Sequence, residues 1–122
     1  MAKITKSFTG DFDGFIRKMH KEILRGSYSA SFSGGSDFAE GETRLAVRVY
    51  ERPSMLSFAR VCLTVTLLET AGRLHLTMIA TGGSRAIFFR TDNLGEKNFM
   101  RYAVEAAERC GSGFIRGAEN NG

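Results

Sequence analysis

Three stretches alternate apolar and polar residues with a period of two: Arg44–Tyr50, Arg60–Leu67 and Arg73–Ala80. That period sends successive side chains to opposite faces of a strand, so each stretch reads as a β-strand with one buried face. Thr70-Ala71-Gly72 reads as a tight hairpin loop, and Glu40-Gly41-Glu42 as a short turn into the strand beginning near Thr43. Counting back from a loop centred on Ala71 pairs Cys62 with Ala80 and His75 with Leu67. Lys3–Thr9 alternates more weakly and reads as a first strand with Ile4 and Phe8 inward. Ser27–Ser33 puts Tyr28, Ala30 and Phe32 on one face and four serines on the other, until Gly34-Gly35-Ser36-Asp37 breaks the pattern as a bulge or loop. Pro53 falls in the next connection, where its missing amide does no harm.

The period changes to that of a helix in two places. Phe12, Phe15, Ile16, Met19 and Ile23 form one apolar stripe, with Asp11 as N-cap and Gly26 as stop. A second helix starts at Asp92 or Asn93, buries Phe99, Tyr102, Ala103, Ala106 and Cys110, and ends at Gly111-Ser112-Gly113. The order predicts an α+β fold, β-α-β(4-5)-α, in which a curved antiparallel sheet carries both amphipathic helices on one face as two layers. Residues 1–116 read as a single domain and residues 117–122 as a polar, disorder-prone tail.

Composition agrees with one ordinary core: 122 residues, 43% hydrophobic, 25% charged, ten Phe and no Trp. No apolar run approaches the roughly 20 residues that span a bilayer, and the first residues lack a signal-peptide core, so no membrane role and a cytoplasmic location are expected. Cys62 and Cys110 stand far apart without metal-site spacing and read as buried or half-buried thiols.

The charge distribution changes the picture more. The chain carries +4, yet residues 44–90 hold seven arginines against two glutamates, an excess of +5, and no lysine. Taking Leu45, Val47 and Val49 as facing the helices, together with Val61, Leu63, Val65, Leu67, Leu74, Leu76 and Met78, alternation turns Arg44, Ala46, Arg48, Tyr50, Arg52, Arg60, Cys62, Thr64, Thr66, Arg73, His75, Thr77 and Ile79 outward. The plain reading of that face is a solvated sheet surface. The functional reading is an anion- or partner-binding face, since Arg suits bidentate contact with phosphate or carboxylate.

Gly82-Gly83-Ser84-Arg85 is a second candidate, because successive glycines can turn amides toward an anion; it lacks the Lys and helix of a phosphate loop. The candidate ligand-binding residues are therefore Arg48, Tyr50, Arg60, His75, Thr77, Gly82, Gly83, Ser84 and Arg85. No catalytic set stands out. A Cys62–His75 nucleophile pair needs a proximity that the hairpin register denies, and His20 reads as a surface histidine between Lys18 and Lys21. No metal or cofactor is expected.

The segments Gly10-Asp11-Phe12-Asp13, Gly26-Ser27-Tyr28-Ser29-Ala30-Ser31, Gly35-Ser36-Asp37-Phe38, Ala46–Arg52 and Thr81–Phe89 resemble a family of small bacterial proteins classed as a domain of unknown function. That resemblance covers the whole domain and implies no activity or site residues. The element order in turn resembles the TATA-binding-protein-like, or helix-grip, arrangement, a likeness of fold alone. The expected role is a non-catalytic module that holds an anionic small molecule or a protein partner on the Arg-rich face. Nucleic acid on the same face and a small enzyme with a pocket around His75 and Arg85 are the alternatives, and a homodimer across that face would use Tyr50 and Ile79 as contacts.

Overall fold

In a computed structural model, which describes residues 1–26, 30–53, 60–82 and 92–110, the chain runs β1 (Ala2–Phe8), α1 (Phe12–Gly26), β2 (Ser31–Glu40), β3 (Thr43–Pro53), β4 (Arg60–Thr70), β5 (Arg73–Thr81) and α2 (Asp92–Cys110). The strands form one antiparallel sheet in the order β1-β5-β4-β3-β2. Helix α1 carries the chain from one edge to the other, and three hairpins bring it back beside β1. The α+β arrangement with five strands and two helices is the one the periodicities predict. Tyr28, Gly83-Ser84-Arg85, Ala86–Phe89, Gly111–Gly113 and the tail lie outside the described residues.

One core lies between the helices and one face of the sheet. Ile4 and Phe8 of β1, Leu74, Leu76, Met78 and Ala80 of β5, and Val61, Leu63, Val65 and Leu67 of β4 meet the apolar stripes of α1 and α2. Helix α1 begins where Asp11 Oδ2 accepts the Gly14 amide at 2.8 Å, the N-cap bond that satisfies a first-turn donor. Gly26 is the last helical residue because Tyr102 of α2 crosses there, its hydroxyl donating to the Glu22 carbonyl at 2.7 Å. A Cβ on Gly26 would occupy the place of that hydroxyl.

Of the two readings of the Gly34-Gly35 break, the bulge is the one found: the register shifts between Phe32 and Gly34, and β2 runs from Ser31 to Glu40. Two other expectations are corrected. Pro53 closes β3 rather than following it, at the strand end where no ladder bond is lost. The β4–β5 hairpin turns on two residues, Ala71 (φ 53°) and Gly72 (φ 76°), between Thr70 and Arg73. Two consecutive left-handed residues match the strand twist, so no third loop residue is needed. Cys62 thus pairs with Thr81 and His75 with Leu68, one residue from the counted register.

The largest correction concerns β3. Its helix-facing residues are Arg44, Ala46, Arg48, Tyr50 and Arg52, paired across the ladder with Glu69, Leu67, Val65, Leu63 and Val61. Leu45, Val47 and Val49 face away, beside Leu68, Thr66 and Thr64. Hydrophobicity alone favours the apolar set for the core, but coverage by helices decides the face. Tyr50, at 1% exposure, and Ala46, at 0%, are the β3 residues buried in the core, and their burial goes with this parity of the strand.

Two variants test these backbone claims. Ala71→Asn, placing Asn-Gly in the turn, should raise stability by about 0.5–1 kcal/mol, because Asn tolerates the left-handed region better than Ala. Gly26→Ala should lower it by about 1–3 kcal/mol through the clash with Tyr102, with partial recovery on adding Tyr102→Phe. Urea unfolding of each variant measures both.

Candidate functional site

Asp13, Arg17 and His20 follow one another at spacings of four and three along α1, which lines them up as one ridge beside the apolar stripe. Across from this ridge stand Arg44, Arg48 and Tyr50 of β3. The ladder places Phe32, Gly35 and Asp37 of β2 on the same face, opposite Tyr50, Arg48 and Ala46. Between the two walls lies an open cleft of about 600 Å³ lined by Asp13, Ile16, Arg17, His20, Phe32, Gly35, Asp37 and Arg48. A smaller recess of about 220 Å³ adjoins it around Phe12, Phe38, Ala39 and Arg44.

The back of the cleft is an aromatic cluster. Tyr50 Oη lies 2.9 Å from His20 Nδ1, and the Phe32 ring stands edge-on to His20 with centroids 4.9 Å apart. Burial pushes the Tyr50 hydroxyl up to about 12, against the opposing pull of the Arg48 charge, so the phenol stays neutral. When that O–H donates to Nδ1, the remaining imidazole N–H is on Nε2. Phe32 keeps 45% of its surface exposed.

The rim is built from ion pairs. Arg44 grips Asp13 through both guanidinium ends, at 3.0 and 2.6 Å, and its plane lies 4.3 Å from the Phe12 ring centre. Hydrogen bonds from Arg44 hold the Asp13 carboxyl below its usual value against the opposing effect of desolvation, with the charges of Arg44 and Arg17 adding to the lowering. Arg48 grips Asp37 at 2.8 and 3.3 Å and also donates to the Val47 carbonyl at 2.9 Å. Gly35 makes this crossing possible: a Cβ there would strike the Val47 carbonyl oxygen and lie 3.0 Å from Arg48 Cδ. Arg17 differs from its neighbours. It makes no hydrogen bond or ion pair among the described residues, and interacts only with the charge on Asp13.

The structure divides the residues singled out from the sequence. Arg48 and Tyr50 belong to this cleft, on the helix side of the sheet. Arg60, His75 and Thr77 lie on the opposite side, where Arg60 Nε donates to Glu51 Oε1 at 3.0 Å, His75 Nδ1 is 2.8 Å from Ser7 Oγ, and Thr77 sits between Thr5 and Thr66. The arginines of residues 44–82 therefore do not form one face. Gly82 does offer its amide to an anion, but to the protein's own: it donates to Glu96 Oε2 at 2.6 Å, and Glu96 also meets the Met1 ammonium. Gly83, Ser84 and Arg85 lie outside the described residues.

His20, read as a surface residue, is half-buried and bonded to Tyr50. Asp13, Arg17, Phe32 and Asp37 are absent from the ligand-binding residues that the sequence suggests. The ridge spacing in α1 and the Gly34-Gly35 break were the available signals; neither says which strand the ridge will face.

Cys62 and His75 are not brought together as a nucleophile and its base. Cys62 and Cys110 are free and half-buried. Burial, then Glu51, raises the Cys62 thiol; burial, then Glu22, pushes that of Cys110 up to about 11. Cys62 and His75 are about 20 Å apart along the β4–β5 ladder, since their partners are Thr81 and Leu68. Among the described residues no three His, Cys, Asp or Glu side chains come together as metal ligands. Among the described residues no helix is long and apolar enough to cross a membrane.

The family model described as "Family of unknown function (DUF6054)" matches residues 1–111. The chain belongs to that family. Comparison with curated proteins finds no match. The DUF6054 match spans α1, β2 and β3, so both walls of the cleft fall inside the family's domain.

The buried phenol makes a prediction about pH. Its folded value lies above the ordinary value near 10, so the stability it contributes is complete below pH 10 and is lost as pH rises toward 12. Urea midpoints at successive alkaline pH values should fall more steeply for the wild type than for Tyr50→Phe.

Proposed function

We propose that this DUF6054 domain is a non-catalytic binding module, and that its ligand is a small anion bearing an apolar or aromatic group, held in the cleft between α1 and the β2–β3 edge. The observation that carries the proposal is Arg17. It is a cation without a hydrogen-bond partner among the described residues, on the wall of a cleft of about 600 Å³ whose back is aromatic. Arg48 of the cleft and Arg44 of the adjoining recess are each held by one carboxylate, so the surplus charge is that of Arg17.

The division of labour follows from these contacts. Arg44 and Arg48 brace the rim, and their carboxylates exclude ligands of the wrong charge or shape. Arg17 supplies charge-assisted hydrogen bonds to phosphate or carboxylate oxygens. Phe32 offers an exposed ring for stacking. His20, fixed by Tyr50, presents its second ring nitrogen as a directed polar contact. The neutral Tyr50 serves as a support for His20 rather than as a base.

Phenyl phosphate is a suitable probe, with inorganic phosphate for comparison. Amide resonances of residues 13–20 and 32–37 should shift on its addition, and phenyl phosphate should bind more tightly than phosphate alone. Arg17→Ala should weaken binding about tenfold, equivalent to about 1.4 kcal/mol, while Arg73→Ala should not change it. Shifts confined to other residues, or unchanged affinity in Arg17→Ala, would overturn the proposal.

A further inference from the structure

The sheet face turned away from the helices carries no element among the described residues. Its centre consists of Val47, Val49, Thr64, Thr66, Thr77 and Ile79, none charged and each only half-buried by its neighbours. Phe38, at 66% exposure, is the ladder partner of Leu45 at the β2 margin, where both residues also border the recess on the helix side. Charges are confined to the border: the Arg60–Glu51 pair at one end, Arg73 at the other, and Lys3 on the β1 edge. A charge-free centre with a charged border is the pattern of a protein interface rather than of a solvated sheet.

We infer that this face is the contact surface of a homodimer, two open sheets packed face to face with their helices outside. Its size suits that role. Five strands about 4.8 Å apart, most of them 9–11 residues long, make a face of roughly 700 Å², close to the ~800 Å² per partner of a standard interface.

Its grading points to a second copy rather than to another protein. The middle of the β3 row is aliphatic (Leu45, Val47, Val49), while β4 and β5 carry Thr64, Thr66 and Thr77 there, with Leu68 and Ile79 beside them. A two-fold axis lying in the contact plane and running across the strands through Val47, Thr66 and Thr77 sets each row against its own reverse, so that along the axis Val47 meets Val47, Thr66 meets Thr66 and Thr77 meets Thr77. A second copy has this match by symmetry. Sheets packed in this way stand about 10 Å apart with their inner side chains interleaved. The α1–β2–β3 cleft, on the other side of each sheet, stays open in the dimer, so the inference is independent of the ligand proposed above.

Sedimentation equilibrium of the full chain, from micromolar to submillimolar concentration, provides the test. The expected mass is twice the 13.4 kDa of one chain. Val47→Lys, which puts a charge at the centre, should give a monomer with an unchanged circular-dichroism spectrum, while Lys97→Glu on the exposed side of α2 should leave the dimer intact. If Val47→Lys does not fold, Cys62 provides a readout in the wild type. It lies on the contact face, so its alkylation by iodoacetamide should accelerate on dilution while that of Cys110, on the helix layer, should not. A single-chain mass at every concentration, a dimer that survives in folded Val47→Lys, or a Cys62 rate independent of concentration would each overturn the inference.

Discussion

Two helices have no width to spare over five strands. A helix with its side chains is about 10–12 Å across, so a pair spans about 20–24 Å, against about 24 Å for five strands at about 4.8 Å spacing. Here the pair sits toward one side. Strands β1, β5 and β4 lie under apolar helix surface and bury a continuous set of Ile, Leu, Val, Met and Phe. At β3 the cover thins to the polar flank of α1, and most of β2 is exposed.

The cleft follows from that thinning. Where α1 no longer seals the sheet, the strand beneath must present groups that tolerate partial solvent, and β3 supplies arginines whose stems pack while their heads find carboxylates. Arg44 lies over Phe12 and reaches Asp13, and Arg48 passes the Cβ-less Gly35 to reach Asp37. Arg52 lies 4.6 Å over the Phe99 ring, with burial lowering its basicity. Tyr50 closes the apolar side of this zone. Its ring is part of the core and its hydroxyl is the first polar atom of the cleft, which is why its partner, His20, stands half in and half out.

The same coverage argument explains the opposite face. With β3 turned so that Tyr50 is inside, Leu45, Val47 and Val49 are left outside and join the Thr side chains of β4 and β5. Each face of the sheet thereby becomes the reverse of what hydrophobicity alone assigns to β3. The helix side gains a charged cleft, and the far side loses the three β3 arginines and keeps Arg60 and Arg73 at its border.

How much of this was legible depends on which physical rule decides each feature. Alternation and the 3.6-residue period are local, so the element order, the Asp11 cap, the Gly41 turn and the inward sets of β1, β4 and β5 could be read directly from the residues. The membership of the chain in its family agrees with the segments that suggested it. The parity of β3 could not be read, because its two residue sets are both plausible cores and the choice rests on where α1 ends over the sheet. Nor could the hairpin register, which changed by one when Ala71 and Gly72 both took left-handed conformations. Gly82 looked like an open anion site until α2 brought Glu96 to its amide. The cleft combines both kinds of information: the ridge Asp13-Arg17-His20 was present in the sequence as a spacing, but only packing of α1 across the sheet gave it Tyr50, Phe32 and Arg48 to face.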